Sequence, residues 1–131
     1  MFEVRAAWVM GVALPLLETL RRRTDFSTLA FYVDDYIAGG LLLWAAWSVS
    51  RGRPNGRAWL VAAWGVLSGG LYGSFFGQLA HVGPDVSGHS NAFVAAVKGV
   101  LYAVSIAGLV LSVRRARQAP EQSFDARERE A

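Results

Sequence analysis

Residues 65–81 read GVLSGGLYGSFFGQLAH and set a glycine at every fourth position, Gly65, Gly69, Gly73 and Gly77, with His81 at the next step of the same spacing. A period of four follows one face of an α-helix. The run that carries the stripe, 58–80, has Gln78 as its one strongly polar side chain. A helix at the surface of a water-soluble domain needs a polar face, and this run offers none. About 20 mostly apolar residues cross the roughly 30 Å of a bilayer's hydrocarbon. Residues 58–80 and 92–113 each have that length, 28–49 has it with an acidic interruption at Asp34 and Asp35, and 4–20 is slightly short.

The expected fold is therefore all-α: a polytopic membrane protein of four transmembrane helices, at about 4–21, 26–50, 57–80 and 91–114, packed as a small bundle. Residues 1–118 form the transmembrane domain and 119–131, with Pro120 and the alternating charges of DAREREA, a disordered polar cytoplasmic tail. Composition agrees with this picture: of 131 residues 53% are hydrophobic and only 18% charged. The N-terminal run lacks the basic start and small-residue cleavage signal of a secretory leader.

The charges gather at Arg21–Arg23, at Arg51, Arg53 and Arg57, and from Arg114 onward, flanking the apolar runs. The net charge of +3 thus speaks of membrane orientation and not of nucleic acid. Counting arginines across the loops places both termini in the cytoplasm, against which only Arg21–Arg23 stand. The excess of arginine over lysine, with abundant alanine, fits a high-GC bacterium, so the expected location is the cell (inner) membrane. The absence of cysteine excludes disulfides and thiolate chemistry.

Within lipid, helices associate through close van der Waals packing, which small residues at every fourth position permit. The glycine stripe of helix three predicts such packing, and helix four repeats the spacing with Ala95, Gly99, Ala103 and Ala107. This glycine zipper either packs the four helices against one another or faces a second copy or partner subunit. Trp8, Trp47 and Trp59 suit the headgroup level, whereas Trp44 and Trp64 lie deeper and suit packing.

An ionisable side chain inside a span costs about 2.5–3.5 kcal/mol on insertion scales and normally faces the protein interior with a partner. Asp34, Asp35, Lys98 and Glu18 fall at one depth in the proposed topology, and Gln78 approaches from the same side. These five are the candidates for binding a ligand, an ion or a proton. Pairing Lys98 with Asp34 or Asp35, and Glu18 with one of Arg21–Arg23, gives a structural network. Successive helical residues diverge by about 100°, so Asp34 and Asp35 cannot both meet one lysine. His81, Asp85 and His89 are weak metal candidates, since their spacing matches no ligand motif. No catalytic motif, metal or cofactor is expected. The functional expectation is an accessory or assembly subunit of a membrane complex, with the bilayer and a partner membrane protein or further copies of itself as partners. The alternative is an oligomeric small-solute or proton-coupled transporter or channel using Asp34 and Asp35.

Overall fold

The computed structural model describes residues 2–22, 29–83, 85 and 87–130; Arg23 and the residues 26–28 assigned to the start of helix two lie outside them. Four helices follow one another, α1 (Phe2–Arg22), α2 (Leu29–Ser50), α3 (Gly56–Ala80) and α4 (Asn91–Glu130), with no strand among the described residues. Neighbours in sequence pack together and α1 also meets α4, which closes the bundle. Two helices among the described residues, Gly56–Ala80 and the Asn91–Gln118 part of α4, are long and apolar enough to cross a membrane. That is two spans by length and composition, not four. α1 carries Glu3, Arg5, Glu18 and Arg21, and α2 carries Asp34 and Asp35, which dilute their apolar runs.

The last helix also runs further than expected. Its backbone stays helical through Glu130, across the stretch assigned to a disordered tail. Pro120 disfavours helix there, but Ala, Glu, Gln and Arg around it are strong helix formers. Arg127 and Arg129 in the final turn also oppose the helix dipole.

The core lies toward the end of the bundle that holds the 51–57 turn. α1 contributes Val4, Ala7, Met10 and Leu14, α2 contributes Ala38, Leu42, Ala45 and Ala46, and α3 contributes Leu60, Ala63, Trp64, Leu67 and Leu71. These positions recur at three and four residues, one stripe per helix. Trp64 is fully buried, whereas Trp44 is 45% exposed and lies beside Trp47, with ring centroids 5.5 Å apart. Ser68 Oγ donates to Ser105 Oγ at 3.2 Å across the α3–α4 seam, and Ser105 donates on to the Tyr102 carbonyl at 2.7 Å.

Small residues do bring helices close, though not those of the α3 stripe. A Cβ built on Gly39 would lie 2.7 Å from the Gly11 carbonyl oxygen. That carbonyl faces Gly39 after losing its helical donor, because residue 15 is proline and has no N–H. On the other seam, a Cβ on Gly108 would lie 2.7 Å from Cδ2 of the Trp64 indole.

By contrast, a Cβ on Gly65, Gly69, Gly73 or Gly77 would meet nothing within 4 Å, so the stripe does not pack helices within the chain. A helix turns about 100° per residue, and α3 has spent its buried face on Leu60, Ala63, Trp64, Leu67 and Leu71, leaving the adjoining glycines outside it. The α4 series is corrected in part. Ala95 is buried and a Cβ on Gly99 would touch Phe75 at 3.0 Å, but Ala103 and Ala107 are exposed. A strict four-residue series drifts by about 40° per step on a helix of 3.6 residues per turn. The buried seam therefore moves to Ser105, Gly108 and Ser112.

Candidate functional site

Toward the end with the 81–90 loop the helices part, and a groove of about 1630 Å³ opens between α1 and α2 on one side and α3 and α4 on the other. Its walls hold Glu18, Asp34, Asp35, Gln78 and Lys98, the five side chains singled out in the sequence. The glycine face forms its floor: Gly69, Gly70, Gly73 and Gly77 line it with Ser74. Removing side chains from this face of α3 thus widens a groove. Apolar side chains from all four helices, Leu14, Leu17, Ile37, Val66 and Val97, share the lining.

The polar contacts at the mouth begin with Gln78, a buried side chain in the last turn of α3. Its Oε1 accepts from Lys98 Nζ at 2.9 Å, and Nζ also reaches the Ser74 carbonyl at 3.5 Å. Its amide nitrogen donates to Asn91 Oδ1 and, at 3.4 Å, to Asp85 Oδ1. Asn91, the first residue of α4, donates to the carbonyls of Gln78 at 3.3 Å and His81 at 3.1 Å. The Gln78 carbonyl also accepts the His81 N–H at 3.2 Å in the closing turn of α3, and Asn91, bonded to both carbonyls, fixes the two helix ends together.

Asp85 is the strongest acceptor in this region. Its side chain is 3% exposed and takes a two-pronged grip from Arg21, with Nε 3.0 Å from Oδ2 and Nη2 on Oδ1. Ser87 adds its backbone N–H at 3.1 Å and its hydroxyl at 2.8 Å. The Arg21 guanidinium, aided by Ser87, holds the Asp85 carboxyl well below the usual carboxylate range, against the opposing effect of burial. Arg21 also pairs with Glu18 at 3.4 Å, the i+3 partner expected from the sequence. One guanidinium therefore ties the end of α1 to the loop between α3 and α4.

Sequence reasoning did not anticipate two members of this network. Asp85 stood there as a weak metal candidate and Asn91 as a helix boundary. The signal available for both was the density of polar residues between His81 and Asn91. The histidines stand apart from the grip. His81 and His89 are exposed, and His89 stacks on Phe93 with centroids 5.4 Å apart. Among the described residues no three His, Asp or Glu side chains are grouped to hold a metal ion. Comparison with known protein families, curated proteins and solved structures finds no match.

Proposed function

We propose that the protein is a four-span integral membrane protein of a bacterial inner membrane, with cytoplasmic termini, whose groove receives a transmembrane helix of a partner as an accessory or assembly subunit. The observation that carries this is the empty space over Gly65, Gly69, Gly73 and Gly77. A helix surface without side chains is the surface another helix approaches most closely in lipid. Support for four spans comes from the apolar residues that α1 and α2 turn outward. Val9, Val12, Leu16 and Leu20 on α1, and Val33 and Ile37 on α2, are each about half exposed or more. Water would penalise such a belt and lipid would not. The acids that weaken these helices as spans, Glu18, Asp34 and Asp35, line the groove. Native mass spectrometry of the protein released gently from its own membranes tests the reading. A second chain at fixed stoichiometry is expected, and Gly73→Leu is expected to lose it while keeping its helicity.

A second reading rests on the polar lining of the same groove. Asp34 and Asp35 share it with Lys98 and Gln78, an arrangement that serves proton or small-solute movement when several copies assemble. A homo-oligomer in the same experiment favours it. Asp34→Asn and Asp35→Asn are then expected to abolish substrate-dependent proton uptake in proteoliposomes; persistent uptake makes both acids structural.

A further inference from the structure

The opposite end of the bundle holds a separate cavity of about 770 Å³. Arg5 of α1, Arg53 of the turn and Arg57 of the first turn of α3 all line it. Among the described residues none of these arginines is ion-paired to a carboxylate. The acid nearest in sequence is already engaged: Glu3 is 1% exposed, with Oε1 3.1 Å from Nε of Arg115. Three arginines therefore line one concave space, and no carboxylate is among the residues that line it with them.

Two further features fit that space for an anion. The Arg53 guanidinium lies over tryptophan, 4.3 Å from the Trp47 ring centroid and 5.7 Å from that of Trp44. A guanidinium held over an aromatic ring still has N–H donors to offer an oxygen acceptor. The amino end of α3 opens on the same cavity, and its N-cap Asn55 makes no side-chain cap hydrogen bond. The Gly56 N–H is taken by the Arg53 carbonyl at 3.1 Å, and the amides that follow it in the first turn, of Arg57 and Ala58, add partial positive charge and donors. Val4, Val49 and Ala58 complete an apolar flank.

We propose that this cavity binds a phosphate group, held by Arg5, Arg53 and Arg57 and by the amino end of α3. Several guanidinium forks and helix amides outnumber what one carboxylate can accept, whereas a phosphate offers its oxygens in several directions. The group is carried either by an anionic lipid headgroup, with the apolar flank against its glycerol and chains, or by a soluble phosphate. Basic pockets between helices hold lipid headgroups in this manner. The lipid source rests on the membrane reading above; the soluble source does not.

The test uses the whole protein, stripped of lipid in detergent. Native mass spectrometry follows retention of phosphatidylglycerol against phosphatidylcholine, and calorimetry follows inorganic phosphate. Phosphatidylglycerol is expected at one per chain in preference to phosphatidylcholine, weakened roughly fivefold by either Arg53→Gln or Arg57→Gln. Arg117→Gln removes the same charge from an exposed position outside the cavity and is expected to change nothing. Far-UV circular dichroism confirms that each variant is folded, and Arg5→Gln, on another helix, repeats the test should Arg57→Gln lose helicity. Binding of inorganic phosphate with the same variant dependence, and no preference between the lipids, keeps the site and assigns it a soluble ligand. Equal weakening by all the variants including Arg117→Gln, or binding of neither probe, overturns the proposal.

Discussion

The packed seams and the open groove of this bundle use the same residue type for opposite ends. Near the 51–57 turn, glycine lets surfaces touch, as Gly108 does beneath the Trp64 indole. Near the 81–90 loop, Gly69, Gly73 and Gly77 form the floor of an open groove, with nothing within 4 Å of where a side chain would begin. The first half is held by apolar burial and the second by polar contacts among Arg21, Asp85, Gln78, Asn91 and Lys98. A small residue is therefore evidence of a close approach only when something occupies the space it leaves.

The largest expected effect lies in the closed half. Trp64→Ala empties a fully buried indole site and should lower stability by about 3–5 kcal/mol, measured by thermal unfolding in detergent followed by circular dichroism. A loss below 1 kcal/mol would mean that this half is not the stable one. Gly108→Ala forces a methyl to 2.5 Å from the same ring and should cost about 1–3 kcal/mol through overpacking.

In the open half, Asp85→Asn should cost about 1–3 kcal/mol at neutral pH by weakening a buried charge-assisted pair. The sign with pH follows from the lowered Asp85 pKa. A carboxyl whose pKa is depressed by folding contributes its stability in full above its unfolded value of about 3.9 and loses it as pH falls through the folded one. The gap between the original protein and Asp85→Asn should accordingly shrink in melts taken from pH 5 downward, and a constant gap would remove the ion pair from the account.

The smallest effect on the isolated chain is expected at Gly73→Ala. With open space at that position the substitution should leave stability unchanged or raise it by up to about 1 kcal/mol through helix propensity. A loss as large as that of Gly108→Ala would show the groove to be filled, and the two halves to be alike after all.

The division of labour between sequence and tertiary structure follows from the range of the forces involved. Helix content was legible along the chain, because the apolar spacing that marks a helix is a local property of the sequence. The Glu18–Arg21 pair was legible for the same reason, since three residues make one helical turn. Depth along a helix axis follows from counting residues, so the five polar candidates could be expected at one level, and they line one groove. What the sequence could not supply was rotation about each helix axis. Which stripe of α3 turned inward depended on the competition between its leucine–tryptophan face and its adjoining glycine face for the same neighbours. Burial of the large side chains prevailed, because glycine has no side chain to remove from solvent. The grip of Arg21 on Asp85, 64 residues away, was likewise decided only when four helices closed and brought two ends together.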